Sequence, residues 1–152
     1  MNTKKMRYVW FLVILCIFCL TLFLARTRSK VEMRNRIYHQ WNEHFVVSKG
    51  KESYVRTTND SNQTVVLSEA QSYGMLITVA AAKKGQAQQA DFDRLYQYYL
   101  NHRLEGTQLM SWKQTIRNGK AKDEDHNATD GDLYIAYALL KAAQQWPKQA
   151  KD

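Results

Sequence analysis

Two stretches of this sequence place carboxylates where they could do chemistry. In Leu67-Ser68-Glu69-Ala70-Gln71-Ser72-Tyr73-Gly74-Met75, a glutamate precedes a run rich in Leu76, Ile77, Val79 and Ala80-Ala81-Ala82. Ser68 is a good N-cap, which predicts a helix with Glu69 at its first position. The run leaves almost no polar face, and a helix apolar on every side is a buried one. In the second stretch, Asn127-Ala128-Thr129-Asp130-Gly131-Asp132, Thr129 is the expected cap. Asp130 and Asp132 fall in the first turn, and a mostly apolar helix follows to Trp146. A single carboxylate at a helix mouth needs no role beyond serving the helix dipole. Two buried helices that each open on a carboxylate offer a pair facing one gap, the minimum equipment for glycoside hydrolysis. A general acid must hold its proton near the working pH. The dipole opposes that at Glu69, while burial and the like charge of Asp130 favour it.

The elements that must position these groups alternate in character. Val31–Val47 has Ile37, Trp41 and Phe45 at helical spacing, with Arg34, Arg36, Gln40 and Glu43 mostly off that stripe. The helix opening at Glu69 follows, and Lys83-Lys84-Gly85 stops it. Asp91 then caps a one-sided helix with Phe92, Leu95, Tyr96, Tyr99 and Leu100 on its apolar face. The Asp130 helix is the fourth. Amphipathic, buried, amphipathic, buried is the order of a toroid of paired outer and inner helices. Tyr54–Thr57 and Thr64–Leu67 flank the polar cluster Asn59-Asp60-Ser61-Asn62, which predicts a short β-hairpin leading into Ser68. Leu109–Lys113 precedes a loop at Asn118-Gly119-Lys120-Ala121-Lys122, and Trp112 there is either a core residue or a platform for a sugar ring.

The first thirty residues stand apart. Tyr8–Ala25 is apolar throughout except Thr21, long enough to span a bilayer as a helix. Phe23 spoils a small-x-small cleavage site before Ala25, so an uncleaved signal anchor over 1–30 is expected, with residues 31–152 beyond it. Of the 22 basic residues, six lie in 1–30 and none of the 14 acids does, so the overall +8 falls to +2 beyond the anchor. That leaves no basic stripe for nucleic acid. Cys16 and Cys19 both lie in the apolar run, so no disulfide is expected downstream. No metal or other cofactor is expected. Asp123-Glu124-Asp125-His126 fails the calcium-loop template, with Ala128 where glycine is needed and Tyr134 where the closing glutamate belongs.

Ala128-Thr129-Asp130-Gly131-Asp132, with Ile135-Ala136, Ala138-Leu139-Leu140, Ala142 and Trp146, resembles the signature of glycoside hydrolase family 8. Ser68-Glu69, Gln71 and Tyr73-Gly74-Met75 resemble that family's other hallmark, SEGQGYGM; Ala70 and Ser72 replace its glycines, and Tyr134 stands where aspartate is common. The resemblance runs from about Ile37 to Trp146. It implies an all-α fold, the N-terminal part of an α/α six-fold barrel, here with a short β-hairpin and one preceding transmembrane helix. It implies an inverting β-1,4-glycanase of the endoglucanase, chitosanase or xylanase type. Glu69 would be the general acid and Asp130 an active-site carboxylate, with Trp112, Tyr73 and Asp132 as substrate-binding residues. The general base of the family lies far downstream of the aspartate motif. These residues are therefore expected to be weakly active or inactive, as part of a truncated domain. The expected partners are a polysaccharide, the membrane on the cell's outer side, and further copies of the chain through exposed apolar helix flanks. The competing readings are a glycan-binding remnant without catalysis and a purely structural membrane protein.

Overall fold

The computed structural model describes residues 3–58 and 62–147, so the centre of the Asn59–Asn62 cluster lies outside the description. The chain divides into two compact units, Met1–His39 and Gln40–Asp152. The apolar run and the amphipathic segment after it form one helix, α1 (Thr3–Phe45), rather than two. Arg26-Thr27-Arg28-Ser29-Lys30 contains no proline or glycine to break it. Its most apolar window has mean hydropathy 2.7 and is not buried, so α1 is long and apolar enough to cross a membrane.

Helix predominates over the described chain, but the second unit is not all-α. Strands β1 (Val46–Lys49) and β2 (Glu52–Val55) form an antiparallel hairpin turning at Gly50, with Val47 opposite Tyr54. Strand β3 (Thr64–Leu67) pairs with β4 (Lys113–Arg117), and β4 pairs with β5 (Lys120–Asp123). This corrects the expected hairpin. Residues 64–67 find their ladder far along the chain and meet the 54–57 segment through the Arg56–Val66 bridge and the bonds of Thr57 to the Val65 carbonyl, not through a hairpin ladder. The segment read as a loop around Asn118-Gly119 is a β-turn between two strands, and both residues adopt positive φ, 49° and 74°.

Helices α2 (Ser68–Ala82), α3 (Gln89–Asn101) and α4 (Thr129–Gln145) complete the unit. Their starts differ from expectation. Leu67 and Ala128 hold the N-cap positions of α2 and α4, and neither Ser68 nor Thr129 is the cap. Ser68 is turned instead into the α2–α4 contact, where its Oγ is buried without a partner. Helix α3 begins before Asp91, because Asp91 closes a capping box: its Oδ2 accepts from the Gln88 backbone N–H at 2.8 Å. The core joins Met75 and Val79 of α2, Phe92, Leu95, Tyr98 and Tyr99 of α3, Ile135 and Ala138 of α4, and Tyr54, Val55, Val66 and Met110. Helix α4 is not buried all round. Gly131, Ile135, Ala138 and Ala142 are buried, while Leu133, Tyr134, Tyr137 and Leu140 lie exposed. Among the described residues nothing covers that flank.

Helices α2 and α4 pack side by side, as their shared apolarity predicts. Gly131 is what lets their first turns meet. A Cβ there would lie 2.7 Å from Ser68 Cβ and 3.1 Å from the Glu69 backbone nitrogen, and closer still to Ser68 Oγ. Gly131→Ala should therefore destabilise the unit by about 1–3 kcal/mol through overpacking. Thermal unfolding checks this: Ser68→Gly in the same chain should restore part of the loss, and an unchanged melting temperature for Gly131→Ala would show that the turns do not touch.

Candidate active site

The two motif turns are built into one place by the sheet. The β3–β4 register sets Leu67 opposite Lys113, and the Ser68 N–H donates to the Trp112 carbonyl at 2.9 Å. The Trp112 N–H donates in turn to the His126 carbonyl at 2.9 Å, and Ser111 bridges to Asn127. The start of α2, the segment before β4 and the approach to α4 are thus stitched by backbone bonds.

Glu69 is half-buried and Asp130 exposed. They are neighbours in sequence of Ser68 and Gly131, the two residues in contact, so both carboxylates leave one junction. Asp130 Oδ1 accepts from the Gly131 N–H at 2.8 Å, holding its side chain back over the helix start. One turn on, each helix carries a tyrosine. The Tyr73 and Tyr134 rings lie 5.0 Å apart at 54°. Tyr134 thus has a part that the motif reading missed; its place one turn after Asp130, matching Glu69 and Tyr73, is the signal that could have found it. The Tyr73 phenol is held above its ordinary value, first by desolvation, then by its hydrogen bond to Glu69 and by Tyr134. A phenol kept protonated is a donor to the carboxylate and, on its exposed side, to a ligand.

Asp132 is built differently. Its Oδ1 accepts from the Met110 N–H at 2.9 Å and its Oδ2 from Asn127 Nδ2 at 2.7 Å, so it straps the approach segment to α4. The remaining lone pairs are what it could offer a sugar. The half-buried Trp112 ring lies against His126, 5.7 Å between centroids, with the Lys113 ammonium 5.5 Å from its centre. Its Nε1–H is buried and unpartnered. Elsewhere on the acidic run, Asp123 is paired with His102 at 2.7 Å and Asp125 with His126 at 3.0 Å. The His126 hydrogen bond holds the Asp125 carboxyl below the usual range. No group of three His, Cys, Asp or Glu residues able to hold a metal occurs among the described residues.

The motif turns converge within a fold that has known counterparts. The family model described as glycosyl hydrolases family 8 matches residues 12–151. The chain belongs to that family. Its relatives include a beta-glucanase of Niallia circulans, 39% identical over 110 residues, which are 72% of this chain and 26% of the relative. An endoglucanase of Bacillus sp. (strain KSM-330) is 39% identical over 85 residues, 55% of this chain and 18% of the relative. Among solved structures, a beta-1,3-1,4-glucanase from Paenibacillus sp. X4 superposes with a TM-score of 0.64 at 32% identity, over 81% of this chain and 32% of the other. A family 8 endo-beta-1,4-glucanase from an Achatina fulica gut metagenomic library gives 0.58 at 30% identity, over 74% and 33%. The chain therefore spans about a quarter of the length of the curated relatives it matches. It has the likeness of part of the family 8 fold.

Proposed function

We propose that this chain carries the acid half of a β-glucan-cleaving site. Glu69 protonates the leaving glycosidic oxygen, and Asp130 steadies the sugar from the facing helix. Tyr73, Trp112 and the free lone pairs of Asp132 bind the glycan along the same junction. The observation that carries this is the contact of Gly131 with Ser68 and Glu69, which brings the two motif turns of a family 8 chain together. Glucan is favoured over xylan or chitosan because relatives at 30% identity or more are named as glucanases. The bond cleaved is β-1,4 and the mechanism inverting, with the acid and base carboxyls about 6.5–9.5 Å apart around a water. On the family's pattern the base comes from beyond the aspartate motif. These 152 residues alone then bind glycan and turn it over very slowly or not at all, and the second reading is binding without catalysis.

Binding of cellotetraose to the full chain tests the site. Asp130→Asn keeps the shape of the side chain and removes its charge. Hydrogen bonds to charged groups contribute about 1.5–3 kcal/mol, so affinity should fall about tenfold or more. Asp93→Asn, at an exposed position of α3, should leave affinity unchanged. Equal affinity for Asp130→Asn and the parent chain would remove Asp130 from the site.

We place the hydrolase-like unit outside the cytoplasm, held by α1 as a single-pass anchor, because a polymeric glycan is met there. Protease added to intact spheroplasts should then degrade the chain beyond Ser29. Full protection of that region would put the unit inside.

A further inference from the structure

A second cleft, of about 490 Å³, opens between the β1–β2 hairpin and the β3–β5 sheet, with the end of α3 as its floor. That volume lies within the range of small-ligand sites. Glu69, Trp112 and Asp130 do not line it. Two β-turns meet across its mouth: Lys49, next to Gly50, sends its ammonium to the Gly119 carbonyl at 2.6 Å. The floor is fixed from both sides. Asn101 Nδ2 donates to Glu52 Oε2 at 2.6 Å, and His102 Nδ1 meets Asp123 Oδ1 at 2.7 Å. Tyr54 and Tyr98 pack 5.2 Å apart beneath, and the Tyr98 ring lies 4.1 Å from His102.

The chemistry of the lining selects a ligand class. Among the described residues, Lys49 and Glu52 are its two full charges, of opposite sign, and each is already bonded to a protein group. His102 is tied to Asp123. An anion or a cation therefore meets no unengaged opposite charge among these three. The other polar groups on the lining are neutral: the amide of Asn118, the hydroxyl of Thr64, and the Nε2 of Gln63, whose Oε1 already accepts from Arg117. The Tyr98 side chain is 1% exposed, and its hydroxyl is buried with no partner. Buried polar groups are rarely left so. Donors and acceptors without net charge, over an aromatic floor, suit a compact polyhydroxylated molecule.

We propose that this cleft is a second saccharide site, separate from the Glu69–Asp130 junction, which takes a short stretch of neutral glycan and holds the polymer on the enzyme. The ligand class rests on the glucan reading above; the place of the cleft does not. Tyr98 presents its hydroxyl to a sugar hydroxyl, and the Lys49–Gly119 contact yields as the ligand enters.

Amide shifts of the full ¹⁵N-labelled chain in detergent micelles, titrated with cellotriose and separately with inorganic phosphate, test this. Cellotriose should give saturable shifts at Asn101, His102 and Gly119, and phosphate should not. Ala121 lines the cleft from exposed β5, so Ala121→Trp should fill it and weaken those shifts at least tenfold while sparing shifts at Glu69 and Asp130. Tyr98→Phe, which keeps the ring, should weaken them about threefold, and it decides the matter if Ala121→Trp disturbs the hairpin. Shifts confined to Glu69 and Asp130 would overturn the second site and leave the catalytic reading intact. Shifts at Asn101 and Gly119 alone would uphold the second site and count against the other. Saturation by phosphate in place of cellotriose, or indifference to both substitutions, would overturn the assignment.

Discussion

Replacing Gln71 by leucine is expected to cost the chain at least about 3 kcal/mol, although the substitution makes the core more apolar. Gln71 is fully buried in α2. Its Oε1 accepts from the Val55 N–H at 3.0 Å, and its Nε2 donates to the carbonyls of Ser53 at 3.1 Å and Leu95 at 2.9 Å. One side chain thus ties α2 to β2 and to α3. Leucine fills nearly the same space but offers none of the three bonds. The Leu95 carbonyl keeps its bond within α3, but the Val55 N–H and the Ser53 carbonyl are left without Gln71; each such buried group costs about 1–3 kcal/mol, and two a little above the low end reach the figure given. A domain of about a hundred residues shifts by roughly 4–8 °C per kcal/mol. A drop on the order of 10 °C or more in thermal unfolding is therefore expected for Gln71→Leu, and a shift under about 2 °C would show that the three bonds contribute little. Gln71→Glu should be worse than leucine, since it sets a carboxylate oxygen against two carbonyls.

That hub was not legible as such. Gln71 stood out only as part of a motif, and glutamine is mostly an exposed residue. What the sequence did reveal were features with a local cause. The apolar stripe of α3, with Phe92, Leu95 and Tyr99 inward, follows from helical period alone. The pairing of α2 with α4 follows from two helices too apolar to stand by themselves. Strand partners are a different matter. The alternation of Thr64–Leu67 marks a strand but not its neighbour, and its ladder lies at Lys113–Arg117. Asn118-Gly119 is a strong two-residue hairpin signal that could have revealed β4 and β5; the polar Lys120–Asp123 beside it hid the second strand, which is exposed along its length. The helix caps misled for a similar reason. Ser68 has the chemistry of an N-cap, but its place against Gly131 is set by tertiary packing.

At the candidate site the sequence located the two carboxylates and the structure supplies their surroundings. Asp130 and Asp132 looked equivalent in sequence. In the fold, Asp132 has a protein donor on each oxygen, while exposed Asp130 is held by one backbone N–H. The difference arises because residue 132 points back to Met110 and Asn127, which pairings elsewhere in the chain bring into reach. Tyr134 departs from the aspartate common at its position, yet its ring meets Tyr73. Tyr134→Asp would restore the family's pattern at that position and remove this ring contact.

Hydrolysis tests the roles given to Glu69 and to the remote base most directly. General acid–base groups contribute about 10²–10⁴-fold each, so a chain with the acid and without the base should keep little of the rate. The measurement is release of reducing ends from mixed-linkage β-glucan by the purified 152-residue chain, beside Glu69→Gln, with cellotetraose affinity determined on the same samples. Both proteins are predicted to bind cellotetraose with similar affinity and to release reducing ends at indistinguishable, near-background rates. Robust turnover by the parent chain that Glu69→Gln abolishes would contradict this, and would mean that a carboxylate within these residues, Asp123 or Asp125 first among them, activates the water.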